Sequence, residues 1–192
     1  MNRTGLTAAP TIETERLVLR AHRPDDFDPY HELWTDLDIV RHISGRPSSR
    51  EETWSRLLRA IGHWQVMGFG FWAAVEKASG RLIGELGVAD SRRELTPSMD
   101  DAGEAGWLIA PSAQGQGLAT EGIRAALAWS DQRLGFPRLF CMIAPENAPS
   151  VRVAVKSGFR ELAVTPYRDA PTLIMERRPG EGLTAAADRP AG

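Results

Sequence analysis

Cysteine is all but missing from this 192-residue chain. Cys141 stands alone, so no internal disulfide can form, and no Cys/His group has the spacing of a metal site. Both absences fit a reducing compartment and a protein that needs no metal. Cys141 lies in an apolar run, and core packing is its expected role. No run reaches the ~20 apolar residues of a membrane span, and no N-terminal segment has the long apolar region of an export signal. A cytoplasmic protein without membrane contact is expected. An excess of either charge is missing as well: 23 Lys and Arg stand against 25 Asp and Glu, a formal net charge of -2. That balance gives no overall field for nucleic acid or an anionic membrane. Tyrosine is scarce, with Tyr30 and Tyr167 alone, and no internal repeat is present. Against these gaps stands a 42% hydrophobic content, enough at this length for one domain with a full core.

What the chain does have is a hydrophobic period that switches between helix and strand. Met1 to Pro10 is small, polar and unpatterned, and residues 1–10 read as a flexible tail. Arg16 to Arg20 alternates around Leu17 and Leu19 as a strand, until Pro24 stops it. Asp25 or Asp26 can cap the helix that follows, in which Phe27, Tyr30, Leu33 and Trp34 share one face. A short helical continuation through Ile39, Val40 and Ile43 runs up to Gly45. Ser49-Arg50-Glu51-Glu52 matches a capping box, and Trp54, Leu57, Leu58 and Ile61 keep helical spacing until Gly68. Phe69–Glu76 and Leu82–Val88 then form a hairpin about Ser79-Gly80. The polar stretch Asp90–Gly103, which holds Pro97, is a loop.

The second half reads as strand Glu104–Ala110, helix Ala119–Leu134 and strand Arg138–Ala144, which Pro145 ends. A helix starts at Asn147 or Ser150 and closes at Gly158 as its C-cap, before two last strands, Phe159–Thr165 and Thr172–Arg177. Residues 180–192 are rich in Gly, Ala and Pro and read as a disordered tail. The order is that of an α/β domain with antiparallel hairpins and one central strand-helix-strand unit.

The most specific signal is the turn inside that unit, Ile109 to Glu121. Two glycines flank Gln116, so the backbone can take conformations that a β-carbon penalises and can approach a ligand closely. The first turn of the next helix has amides without intrahelical partners and the positive end of the dipole, which favours an anion such as a phosphate. No Gly-Lys-Ser or Gly-Lys-Thr follows, which excludes the Walker pattern. Gly115-x-Gly117-x-x-Thr120 lacks the third glycine of a dinucleotide fingerprint and comes too late in the chain. A plain tight turn, whose glycines only let the helix pack on the sheet, is the alternative.

Gln114-Gly115-Gln116-Gly117-Leu118-Ala119 resembles the acetyl-coenzyme A loop of the GNAT N-acetyltransferases, Gln/Arg-x-x-Gly-x-Gly/Ala. Asn147-Ala148-Pro149-Ser150 through Lys156-Ser157-Gly158-Phe159 is similar to that family's next helix and its exit. Thr14-Glu15-Arg16-Leu17-Val18-Leu19-Arg20 is similar to its first strand. Together they most resemble the branch that acetylates ribosomal-protein N-termini at alanine or serine, and the resemblance covers residues 11–179. It implies a single-domain acyl-CoA N-acyltransferase fold: a mixed, mostly antiparallel sheet with flanking helices and two central parallel strands that splay apart. The arm of acetyl-CoA, here a co-substrate, would lie in that opening. Ile109, Gln114, Gly115, Gln116, Gly117, Leu118, Ala119, Thr120, Asn147 and Ser150 are the expected contacts, with main-chain groups of Ile109 holding the arm and the acetyl carbonyl.

Acetyl transfer needs a neutral amine, a polarised carbonyl and a thiolate that is protonated or tolerated. In relatives an acid on the first splayed strand takes the amine proton, directly or through water, and Glu104 occupies that strand. Glu85 is the competing base. A solvated strand-end carboxylate is the plainer role for Glu104, as surface or core-edge positions are for His22, His31, His42 and His63. Many GNATs protonate the thiolate with a tyrosine seven residues beyond the asparagine, where this chain has Ala154. In the ribosomal-protein branch a serine three residues past the asparagine is proposed instead, and Ser150 stands there, although Asn147 and Ser150 are also good helix caps. Trp34, Trp64, Trp72 and Trp107 are candidates for pocket lining or for core.

Specificity is expected from the first helices, the loop Asp90–Gly103 and the last hairpin around Tyr167. The acceptor is a small-molecule amine or a protein N-terminus, and a homodimer is left open. The resemblance thus implies an N-acetyltransferase working by direct transfer in a ternary complex. The alternative is a catalytically silent acyl-CoA-binding module serving as sensor or interaction partner.

Overall fold

A computed structural model describes residues 2–183 of the chain. Eight strands form one sheet: β1 (Ile12–Glu13), β2 (Leu17–Arg20), β3 (Phe71–Glu76), β4 (Leu82–Ala89), β5 (Gly103–Ile109), β6 (Leu139–Ile143), β7 (Arg160–Tyr167) and β8 (Ala170–Arg177). Their order across the sheet is β1-β2-β3-β4-β5-β6-β8-β7. All neighbours are antiparallel except β5 and β6, whose parallel pairing is confined to Gly103↔Leu139 and Glu104↔Phe140. Beyond those two pairs the strands part. The single α/β domain with two splayed central strands is therefore present. Five helices complete it: α1 (Phe27–Thr35), α2 (Leu37–Val40), α3 (Arg50–Met67), α4 (Leu118–Arg133) and α5 (Ala148–Lys156).

Neighbouring residues on β4 show how the layers are arranged, because successive side chains point to opposite faces. Glu85 meets Tyr30 of α1. Leu86 meets α4, and so closely that a β-carbon on Gly122 would lie 2.5 Å from its Cδ2. Helix α1 thus lies on one face, with α3 packed against it, and α4 on the other. Leu17, Leu19, Leu86, Ile123 and Leu127 are fully buried between sheet and α4, each such side chain contributing about 1.5–3 kcal/mol. Where α3 ends, Trp64, Trp72 and Trp129 meet edge to face, with ring centroids 4.7, 5.5 and 5.2 Å apart. Cys141 is in the core as expected, and burial pushes its thiol pKa well up.

Local chemistry explains most element ends. Ser49 and Glu52 form the capping box of α3, each accepting the other's main-chain N–H at 3.1 and 2.8 Å, and Gly68 closes the helix with φ 75°. Asp26 departs from expectation. It stands at the N-cap of α1, but its carboxylate binds Arg20 at 2.6 and 2.7 Å and the Arg23 N–H instead of capping. Ser150 does not start α5 either: Asn147 is the cap, its side-chain oxygen accepting the Ser150 N–H at 3.2 Å. The short strand β1 was not foreseen.

The expected N-terminal tail has fixed partners from Asn2 on. Arg3 N–H donates to the Met67 carbonyl at 2.9 Å, the Arg3 guanidinium sits 4.0 Å over Phe136, and Pro10 accepts the Trp72 indole N–H at 2.7 Å. At the other end Gly180 N–H donates to Asp131, which also pairs with the fully buried Arg177 at 2.9 Å. Residues 184–192 of the expected C-terminal tail lie outside the described residues.

Candidate active site

The glycine turn is held from below and open above. Ala113 and Leu118 are buried on either side of it, while Gly115, Gln116 and Gly117 are exposed. Both glycines have left-handed φ, 75° and 82°, the conformation that costs a residue with a β-carbon about 1–2 kcal/mol. A β-carbon on Gly115 would meet nothing within 4 Å, and one on Gly117 only the Arg16 guanidinium at 3.6 Å. Close packing against the protein is therefore not what these glycines provide. That work falls to Gly122, one turn into α4. Among the described residues, the main-chain N–H groups from Gly115 to Thr120 have no acceptor; the first bond of α4 is from Glu121 N–H to the Gly117 carbonyl. A run of outward amides at a helix N-terminus is a seat for phosphate oxygens.

Below the turn, β5 presents its other edge to the opening. Ala110 N–H donates to the carbonyl of Ile83 in β4 at 2.7 Å, so by strand alternation Ile109 turns its own N–H and C=O away from β4, toward the gap. The carbonyl is already taken by the Gln114 side-chain amide at 3.0 Å. The N–H remains. Gln114, besides being an expected contact, therefore braces the loop from within. On the opposite wall β6 leads into Asn147 and α5. The Ser150 hydroxyl makes no hydrogen bond among the described residues, whereas Ala154, where the sequence resemblance would look for a tyrosine, is fully buried in the core.

The N-terminal end of β5 is closed by side chains. Glu104 is paired by both oxygens with Arg93, whose Nε and Nη2 donate at 2.8 and 2.7 Å. Arg93 Nη1 donates to the Tyr167 hydroxyl at 2.9 Å. That pairing, with Glu104 first and Tyr167 after it, raises the Arg93 pKa above the ordinary guanidinium value against the opposing effect of burial. One arginine thereby ties the 90–103 loop, the first splayed strand and the last hairpin into one cluster. Sequence reading placed Glu104 and Tyr167 near the cleft but missed Arg93, because nothing in the spacing of a polar loop singles out one of its basic residues.

Residues 16–160 match the acetyltransferase (GNAT) domain. The chain belongs to the GNAT acetyltransferase family. It is similar to a GnaT-family acetyltransferase from Bordetella pertussis, with 32% identity and TM-score 0.78 over 88% of this chain and 99% of that one. Its fold also resembles spermidine N-acetyltransferase from Vibrio cholerae, solved with CoA and spermine (22% identity, TM-score 0.70, 89% of this chain and 100% of that one). A third likeness is RimL, a ribosomal L7/L12 alpha-N-protein acetyltransferase solved with CoA (18% identity, TM-score 0.71, 91% and 100%). The protein is thus an acetyl-CoA-dependent acyltransferase. Among the described residues no helix is long and apolar enough to cross a membrane.

Within this GNAT domain the second candidate acid, Glu85, is placed differently from Glu104. Both lie on the α1 face, but Glu85 pairs with Leu108, four residues along β5 from Glu104, or about 13 Å at strand rise. Glu85 is 6% exposed, and both its oxygens take the Tyr30 hydroxyl at 2.9 Å. Burial first, and then the Glu85 charge, push the Tyr30 pKa well above the ordinary phenol value. His22 Nε2 stands 3.5 Å from Glu85, and neither ring nitrogen has a hydrogen bond. This cluster lies under α1, with Glu85 and His22 both buried. Of the four tryptophans named as lining candidates, Trp34, Trp64 and Trp72 are core; Trp107, half-buried against Phe159, remains at the opening.

Proposed function

We propose that this protein is an N-acetyltransferase that moves the acetyl group of acetyl-CoA to a primary amine by direct transfer in a ternary complex. The observation that carries this reading is the run of unpaired amides from Gly115 to Thr120, set above strands that pair at only two positions. The amides, with Leu118, Ala119 and Thr120 at the start of α4, would hold the pyrophosphate. The gap between β5 and β6 would admit the pantetheine arm. Asn147 and Ser150 would line its second wall. The thioester supplies an activated carbonyl with a fair leaving group. Ile109 N–H would polarise that carbonyl as charge develops on its oxygen.

Glu104 would accept the amine proton, directly or through one water, by lone pairs that Arg93 leaves free. Arg93 holds that carboxylate through both oxygens and so fixes its orientation at the end of the strand. Ser150, unbonded at the third position of α5, would donate to the departing sulfur while the helix amides add positive potential. The acceptor is a small-molecule amine or a protein N-terminus, the two kinds that the names of the structural relatives print. Thiol release from acetyl-CoA across a panel of polyamines, aminoglycosides, amino acids and alanine- or serine-initiated peptides tests the proposal. Release above hydrolysis with any of them supports catalysis. Release with none, from protein that binds CoA, would favour the silent acyl-CoA-binding module, for which the buried Ala154 in place of tyrosine is the supporting observation.

A further inference from the structure

The geometry points to Arg16 as the residue that shapes and charges the phosphate seat from outside the loop. Arg16 stands just before β2, far from the loop in sequence. Its Nη1 donates to the Gln116 carbonyl at 2.8 Å, and its guanidinium is the nearest group to the position a Gly117 β-carbon would take. The Gln116 carbonyl is thereby drawn toward β2, and the peptide N–H that follows it is left to face outward.

Arg16 also acts electrostatically. Glu121 lies in the first turn of α4, where a carboxylate suits the helix dipole but repels any phosphate bound at the same end. Arg16 meets that carboxylate with Nε at 2.7 Å and Nη2 at 2.6 Å, while its own main-chain N–H donates at 2.8 Å. Thr14 adds its hydroxyl at 2.6 Å. Burial alone would raise the Glu121 pKa; these bonds lower it instead, so the charge is fixed and matched by the arginine. Arg16 is thus a positioning residue: it orients one peptide of the seat and offsets the negative charge of Glu121.

The inference rests on the reading of the Gly115–Gly117 loop as the CoA seat, and the test separates the two. Calorimetry gives CoA affinity, and ligand-detected NMR gives affinity for pantetheine, which lacks the pyrophosphate. Wild-type protein that fails to bind CoA would overturn the cofactor reading. Given binding, Arg16→Ala should weaken CoA at least tenfold and pantetheine less than twofold. The double variant Arg16→Ala with Glu121→Gln should regain at least threefold, because the uncancelled charge has gone. A general folding defect would lower both ligands alike and would not be relieved by Glu121→Gln. Unchanged CoA affinity, an equal loss for both ligands, or no regain in the double variant would each overturn the role. Should Arg16→Ala not fold, Arg16→Gln carries the same comparison, since it drops the charge but retains a donor for the Gln116 carbonyl.

Discussion

The two ends of β5 are built from different materials. At the C-terminal end, beyond Ile109, the surface is backbone: two glycines in left-handed conformations and six amides with no acceptor among the described residues. At the N-terminal end the surface is side chain, with Glu104, Arg93 and Tyr167 converging from a strand, a loop and a hairpin. A seat made of amides recognises a group that is the same in every turnover. A cluster of side chains can be exchanged residue by residue, so it is where one family would vary its acceptors.

The sharpest break between the two ends is expected from Gly117→Val. A branched residue at φ 82° is strained and fills the space over the amides, so CoA affinity by calorimetry should fall at least a hundredfold while the protein still unfolds cooperatively. Gln116→Ala, one residue away, should bind within threefold of wild type. Equal binding by the two variants would make the loop an ordinary turn.

At the other end, Glu104→Gln should lower kcat by roughly 10²-fold, with CoA affinity near wild type, the usual range for loss of a general base. The pH-rate profile of the variant should differ in shape from that of the wild type. A profile that keeps its shape would assign proton removal to water or to the acceptor.

This contrast also explains what could be read from sequence. The strand-helix-strand unit, the capping box at Ser49 and Glu52 and the glycine loop are local patterns, and each stands where the spacing put it. The contacts of residues 2–10 could not be read, because they are made with distant groups, Met67, Phe136 and Trp72, that no local pattern predicts. Arg93 was missed for the same reason. Assigning the cap of α1 to Asp25 or Asp26 failed more instructively: Asp26 is a good capping residue by type, but Arg20 outcompetes the helix amides for its carboxylate.

A smaller effect distinguishes two neighbours on α5. Because Asn147 is the cap, Asn147→Ala should cost about 1 kcal/mol of stability. Ser150→Ala should leave the melting temperature unchanged yet slow turnover by about tenfold to a hundredfold, or ~1.4 to 2.7 kcal/mol in the barrier. Full activity in Ser150→Ala would remove the serine from the reaction.

The mildest change expected is from Tyr167→Phe, which takes one acceptor from Arg93 and leaves the Glu104 pair intact. KM for the acceptor should rise a few-fold with KM for acetyl-CoA unaltered. A matching rise in both would detach the last hairpin from the acceptor side.

Three of the six tryptophans, Trp64, Trp72 and Trp129, touch one another. Excitation absorbed by any of the three can migrate among them before emission, so light from this trio should be depolarised even in a rigid, slowly tumbling molecule. Unfolding would scatter the rings and restore the anisotropy that a loosened chain ordinarily loses. The molecule thus carries its own optical gauge of the junction between α3, β3 and α4, separate from Trp107, whose emission would register events in the gap between β5 and β6.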